Sequence, residues 1–248
     1  MLLLLWCIPL HTSKGYDRTE SMEVIAQVLM DPLIYAVPAL MPVAKLVPVL
    51  LIVGVMVVGN RMRRLFNGYV ALLYVALAFF QTTAVTERYG FVVISGNLAV
   101  VLVVGAVWAW EAIVGRNDFA ARERPPWKWW VAPLALVALL APVGSGSLSP
   151  DFSPGVLLAN ESGLTYCMMT PVILAVLTLF YPTVNLAVLR VSSFVGIIFG
   201  VVNLVTWFLV MPEGWWMGVL HIPLLAISIY AFVLGHTRVE ARAEETGI

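Results

Sequence analysis

Glu213-Gly214-Trp215-Trp216-Met217-Gly218-Val219-Leu220-His221-Ile222-Pro223 opens an apolar run that continues to Gly235. About 20 apolar residues in a helix match the hydrocarbon thickness of a bilayer. The run therefore predicts a membrane-crossing helix, with Trp215 and Trp216 as anchors at the interface. His221 is the only histidine inside a long apolar segment of this chain. The remaining sequence has the same character. Of 248 residues, 61% are hydrophobic and 11% charged, whereas soluble domains carry about 25% charged residues. The mean hydropathy is +0.95. The composition predicts an all-α polytopic membrane helix bundle whose solvent is the lipid bilayer, with no nucleic-acid partner. Two cysteines, Cys7 and Cys167, give no disulfide framework. Three histidines are too few for a multi-haem protein.

Working outward, residues 1–21 read as a signal-like or disordered N-terminal extension, or as sequence upstream of a true start at Met22. Residues 22–248 read as one integral membrane domain. In it, 24–41 form an interfacial helix and entry segment. Seven transmembrane helices follow, at about 42–59, 69–85, 90–114, 127–143, 164–181, 191–211 and 215–235. Lys45 is expected to snorkel to the headgroups, and Pro48 to kink the first span. Trp127, Trp129 and Trp130 form an aromatic belt at the fourth.

The basic residues set the orientation. Arg61, Arg63, Arg64, Arg116, Arg122, Arg124, Lys128, Arg190, Arg238 and Arg242 fall on one side of seven spans. Only Lys14, Arg18, Lys45 and Arg88 fall on the other. The richer side faces the cytoplasm, so the N-terminus lies outside the cell membrane and the C-terminus inside.

Spans one and five then run in the same direction, which allows a 3+1+3 parallel repeat with span four as linker. Pro48-Val-Leu-Leu-Ile-Val and Pro171-Val-Ile-Leu-Ala-Val agree in four of six positions. A shift of 124 places Leu65 on Leu189, Thr82 on Thr206, Gly90 on Gly214 and Asn97 on His221. The plan is similar in topology to the seven-span small-solute transporters, which place their sites near the midplane between repeats, although no Pro-Gln motif is present. Cys167-Met168-Met169-Thr170-Pro171, followed by Met211-Pro212-Glu213-Gly214, also resembles a family of small multi-pass prokaryotic membrane proteins of uncharacterised function. That family more often has Cys-Pro-Thr-Thr and Pro-Glu-Asp at these places, and it implies no activity.

Polar side chains inside hydrocarbon are costly unless paired, so each is a candidate site residue. Gln81, Asn97, Asn203 and His221 fall at similar depth. They are the candidate ligands for a neutral or zwitterionic solute, with Thr82 and Thr206 beside them. The competing reading is that they bridge packed helices. Cys167 and His221 are candidate metal ligands, since thiolate and imidazole suit copper(I) or zinc. Glu111, near Trp108 and Trp110, is expected at the headgroup interface. Asn160-Glu161-Ser162 fits a glycosylation sequon.

Several activities are excluded by what the spans lack. Residues 215–235 contain no lysine for a retinal Schiff base, and no second span histidine exists for a b-type haem. A Gly-rich phosphate loop, His-Glu-x-x-His and Gly-x-Ser-x-Gly are missing as well. The sequence therefore predicts a membrane protein without cofactor that binds or passes a small polar solute. The alternatives are a non-catalytic subunit packed against a membrane partner or a second copy, and a metal protein or enzyme built on His221.

Overall fold

The structure, a computed structural model, describes residues 2–120, 124–144 and 148–246, with side chains as far as Thr237. Arg122 and the side chains of Arg238 and Arg242, which entered the orientation argument, lie outside the described residues. The chain is nearly all helical, with ten α-helices among the described residues: α1 (Leu2–Leu5), α2 (Ser21–Met30), α3 (Met41–Val58), α4 (Arg63–Ala76), α5 (Ser95–Val114), α6 (Val131–Leu140), α7 (Pro154–Ala159), α8 (Tyr166–Phe180), α9 (Leu186–Val205) and α10 (Trp215–Thr246). Three short strands, β1 (His11–Thr12), β2 (Thr83–Thr86) and β3 (Gly90–Val93), make one antiparallel sheet in the order β1-β3-β2.

Four helical stretches among the described residues are long and apolar enough to cross a membrane: Pro38–Gln81, Ser95–Val114, Leu186–Val210 and Pro212–Thr237. A fifth exists if Pro154–Leu164 and Tyr166–Phe180, bent by 86° to each other, count as one span. The first stretch holds both α3 and α4. Gly59 separates them with φ +64, where a Cβ would also stand 2.7 Å from the Phe119 carbonyl oxygen. Glycine alone meets both demands.

Two of the seven expected spans, the fourth and the fifth, hold helices too short to cross a bilayer unaided. α6 has 10 residues and α8 has 15, about 15 and 22 Å of helix against the roughly 30 Å of a hydrocarbon core. Burial explains why α8 can be short. Every residue of α8 except Cys167 is buried, because it packs against α6, α9 and α10. A helix apolar all round belongs inside other protein. The outer helices instead turn large apolar side chains outward, among them Val53 and Val57 on α3 and Val201 and Val202 on α9. Contiguous apolar exposure of this kind needs a lipid or protein partner.

The second expected span, 69–85, ends early. α4 gives way to a π-turn at Leu77–Gln81, and β2 follows. The Thr82 and Thr83 hydroxyls donate to the carbonyls of Ala78 and Phe79, both at 2.6 Å, taking up acceptors that the widened turn releases. α9 ends the same way, in a π-turn at Thr206–Val210, with Thr206 donating to the Val202 carbonyl. The third expected span, 90–114, begins instead at Ser95. Gly90–Val93 is a strand, its β-branched residues paired with Thr83–Thr86.

Residues 11–30 and 82–94 build a small cap, which takes in residues 11–21, expected to be disordered, and a helix where the sequence predicts one at an interface. Val24 and Val28 of α2 pack on Ala84, Tyr89, Val92 and Ile94 of the sheet side. Arg88 forms ion pairs with Glu20 and Glu23 across this layer. The Thr19 hydroxyl and amide hold the Asp17 carboxyl below its usual range, at the start of the turn that leads into α2. α1 lies on α5, so closely that a Cβ on Gly96 would be 3.0 Å from the Trp6 Cα.

A similar close approach joins α3 to the loop before α8. A Cβ on Gly163 would stand 2.6 Å from the backbone carbon and oxygen of Ala44. Helix backbone cannot step aside as a flexible side chain can. Gly163→Ala is therefore expected to lower the melting temperature in detergent by an amount equivalent to about 1–3 kcal/mol. Gly155→Ala, with open space around its Cβ, serves as the neutral control.

Candidate functional site

The four sequence-derived candidates are each held by a different partner. Gln81 Oε1 accepts from the Tyr166 backbone N–H at 2.9 Å, capping the start of α8. Asn97 Oδ1 accepts from Trp6 Nε1 at 2.7 Å. Asn203 Nδ2 donates to the Phe199 carbonyl at 2.8 Å and reaches Cys167 Sγ at 3.6 Å. His221, 4% exposed, places Nδ1 2.6 Å from the Met217 carbonyl one turn earlier.

Three of them nonetheless border one aromatic cluster. Trp6 packs edge-on against Phe199, and Phe199 lies 4.7 Å from Tyr166, ring centre to ring centre. Next to His221, Leu220 packs with Ala138, Ala141 and Met168, in a cluster that Cys167 also borders. Two cavities, of about 210 and 340 Å3, lie beside Arg124 and His236, and none of the four residues lines either. Among the described residues no three His, Cys, Asp or Glu side chains converge as a metal site.

Deeper in the bundle the structure collects hydroxyls that the sequence reading left aside. Tyr74 Oη on α4 and Thr170 Oγ1 on α8 are 3.1 Å apart, both fully buried. Tyr166, one turn before Thr170, has a buried Oη with no partner in hydrogen-bond geometry among the described residues. Ser228 Oγ on α10 is likewise buried and unpartnered. It faces Gly196 of α9, where a Cβ would collide with it and would also lie 3.5 Å from the Thr170 methyl. One turn along α9 from Gly196, Ser192 Oγ accepts from Trp108 Nε1 of α5 at 3.0 Å. Tyr74 stands about 16 Å along α4 from Arg63, and Gly196 about 15 Å along α9 from Leu186, so the hydroxyls sit near mid-bundle.

Three residues beyond Trp108 on α5 is Glu111, and here the expectation of a headgroup position is wrong. Glu111 is 0% exposed. Three groups donate to its carboxylate: Asn67 Nδ2 at 3.3 Å, the Asn117 backbone N–H at 2.6 Å, and Asn185 Nδ2 at 2.5 Å. The three asparagines are themselves linked. Asn117 Nδ2 donates to Asn67 Oδ1, and the Asn185 N–H donates to Asn117 Oδ1. Asn185 Oδ1 meanwhile accepts from Ala187 N–H as the N-cap of α9. Among the described residues no cation forms an ion pair with Glu111. One carboxylate thus ties α4, α5, the segment after α5 and the start of α9 into a closed end of the bundle.

The opposite end is closed around the short helix α6. A helix leaves its last four carbonyls without intrahelical donors, and here side chains from other segments reach the end of α6 and the two residues after it. Ser162 Oγ donates to Leu139 O at 2.5 Å, Lys45 Nζ and Asn160 Nδ2 donate to Leu140 O, Asn160 Nδ2 also serves Ala141 O, and Trp216 Nε1 serves Pro142 O at 2.7 Å. Lys45 reaches Leu157 O as well, at 2.6 Å. Its ammonium, expected to snorkel outward, is buried at the negative end of the α6 dipole. The sequon is a further correction. Asn160 is 4% exposed and its amide is fully used within the fold, so it presents no acceptor for a glycan.

The long apolar helices, the exposed apolar perimeter and the polar interior closed at both ends define a helical membrane protein. Comparison with family models, with curated proteins and with solved structures gives no match to this chain. What it does is therefore argued from its own residues.

Proposed function

We propose that this is a seven-span protein of the cell membrane, arranged 3+1+3 with its N-terminus outside, that binds and passes a small neutral or zwitterionic solute. One observation carries the reading. Between a Glu111 clamp at one end and a Lys45–Asn160 clamp at the other lies a buried set of hydroxyls, and Tyr166 Oη and Ser228 Oγ there find no partner in hydrogen-bond geometry among the described residues. Buried polar groups in native proteins are satisfied almost without exception, by protein, water or ligand. A polar guest, water or solute, completes these two. The conformation is the occluded one, and Gln81, Asn97 and Asn203 hold its entrance shut through Tyr166 and Trp6. The matching π-turns after α4 and α9 support two equivalent halves, since π-turns recur where helices carry function.

Flux through reconstituted vesicles tests this. Purified protein in liposomes should speed re-swelling in glycerol, urea or glycine gradients, followed by stopped-flow light scattering. The double variant Thr170→Val/Ser228→Ala, which removes interior hydroxyls without adding charge, should slow the rise at least about tenfold, the loss of one hydrogen-bonded contact in the rate-limiting state. Equal swelling of variant and parent vesicles removes the interior path.

A second reading has its own support. Gln81, Asn97, Asn203 and His221 all have intramolecular partners, and large apolar side chains cover the perimeter. A non-catalytic subunit would look like this. It predicts a stoichiometric membrane partner, or a second copy, retained after extraction in mild detergent, and no solute flux from the purified chain.

A further inference from the structure

The cavity of about 210 Å3 beside Arg124 belongs to neither clamp. It lies between the segment entering α6 and the turn from α8 to α9, lined by Ala120, Arg124, Lys128, Phe180, Tyr181 and Thr183 among others. No acidic side chain is among the described residues that line it. Two cations reach it. Lys128 is only 5% exposed and donates to the Tyr181 carbonyl at 2.5 Å, one of its three donor positions. The Arg124 guanidinium stacks over the Phe180 ring at 4.2 Å. Its Nε and Nη2 are buried and find no acceptor among the described residues. A guanidinium over an aromatic ring, with two adjacent donors unpaired, has the fork that takes two oxygens of one oxyanion.

We propose that this cavity binds a phosphate group, with Arg124 Nε and Nη2 as the fork and Lys128 Nζ as the second charge. The surroundings give the phosphate two sources. Trp127, Trp129 and Trp130 are exposed beside it, and such tryptophans settle at headgroup level. Basic pockets between helices on the cytoplasmic side suit anionic lipid headgroups. Free phosphate meets the same donors. The site stands whether or not the interior passes a solute, because it shares no residue with the hydroxyl set.

Two measurements on the full chain in detergent decide the matter. Native mass spectrometry of protein offered equal phosphatidylglycerol and phosphatidylcholine reads the lipid source. Thermal unfolding in millimolar inorganic phosphate, against chloride at equal ionic strength, reads the free anion. For a lipid site the parent should retain phosphatidylglycerol about tenfold over phosphatidylcholine, and Arg124→Gln should erase that preference. For a free-anion site phosphate should raise the melting temperature of the parent and not of Arg124→Gln, with no lipid preference. Lys128→Met should weaken either effect. Because Lys128 also holds the Tyr181 carbonyl, Arg124→Gln is the deciding variant. Neither effect in the parent, or an effect unchanged in both variants, overturns the proposal.

Discussion

Glu111→Ala should be the most damaging single substitution outside helix glycines. It deletes the acceptor of three buried donors at once: Asn67 Nδ2, the Asn117 N–H and Asn185 Nδ2. Each buried group left unsatisfied costs about 1–3 kcal/mol. The total of at least about 3 kcal/mol is a large part of a typical folding stability. The expected result is a steep fall in melting temperature in detergent and in the amount of protein recovered from membranes. Glu111→Gln separates the hydrogen bonds from the charge. Its Oε1 still accepts from Asn117 and Asn67, while its own amide meets Asn185 donor to donor, so the loss should be about half as large. An alanine variant that melts with the parent would mean the clamp holds nothing together.

The second large effect is expected from Asn160→Leu. Leucine keeps the branched skeleton of heavy atoms but has larger ends, so the polar contacts go and a modest overpacking cost is added. Asn160 supplies donors to Leu140 O and Ala141 O and an acceptor to the Ser162 N–H. Lys45 still covers Leu140 O. Ala141 O and the Ser162 N–H are then orphaned, at about 2–4 kcal/mol together. Thermal unfolding followed by circular dichroism should register the change as a lower melting temperature. No change in melting temperature would show that water reaches the end of α6 and replaces the amide.

The two substitutions share a physical cause. A helix bundle in lipid has little hydrophobic force between its helices, since lipid tails are as apolar as leucine. Position is then set by close approach at small residues, as at Gly163 and Gly196, and by polar groups that have no water to turn to. Closed polar ends on an apolar bundle follow from this.

The class of the molecule was legible in the apolar runs, and each of the seven runs overlaps a helix. The ends of the elements were less so. Gly90-Phe-Val-Val-Ile is as apolar as a helix start, and only its pairing with Thr83–Thr86 makes it a strand. α8 looked like any other span because apolarity does not distinguish a helix facing lipid from one enclosed by protein. Glu111 was placed among headgroups on account of Trp108 and Trp110. Yet Trp108 points inward to Ser192, and the partners that bury Glu111 come from 44 residues before it and 74 after. Local pattern carries no trace of such meetings. Asn97 was matched to His221 by register, but its partner is Trp6, in residues that read as a leader-like extension.

Thiol labelling at Thr170 tests the interior path most directly. Thr170 is fully buried beside the unpartnered Tyr166 Oη, and Cys is close to Thr in size. With Cys7 and Cys167 replaced by alanine, Thr170→Cys protein in sealed vesicles would be treated with a small hydrophilic methanethiosulfonate. A path used by polar solutes predicts labelling, slowed by an excess of permeant glycerol or urea. A thiol that stays unlabelled in the folded protein and reacts only after denaturation would contradict the account, leaving a dry, permanently packed core.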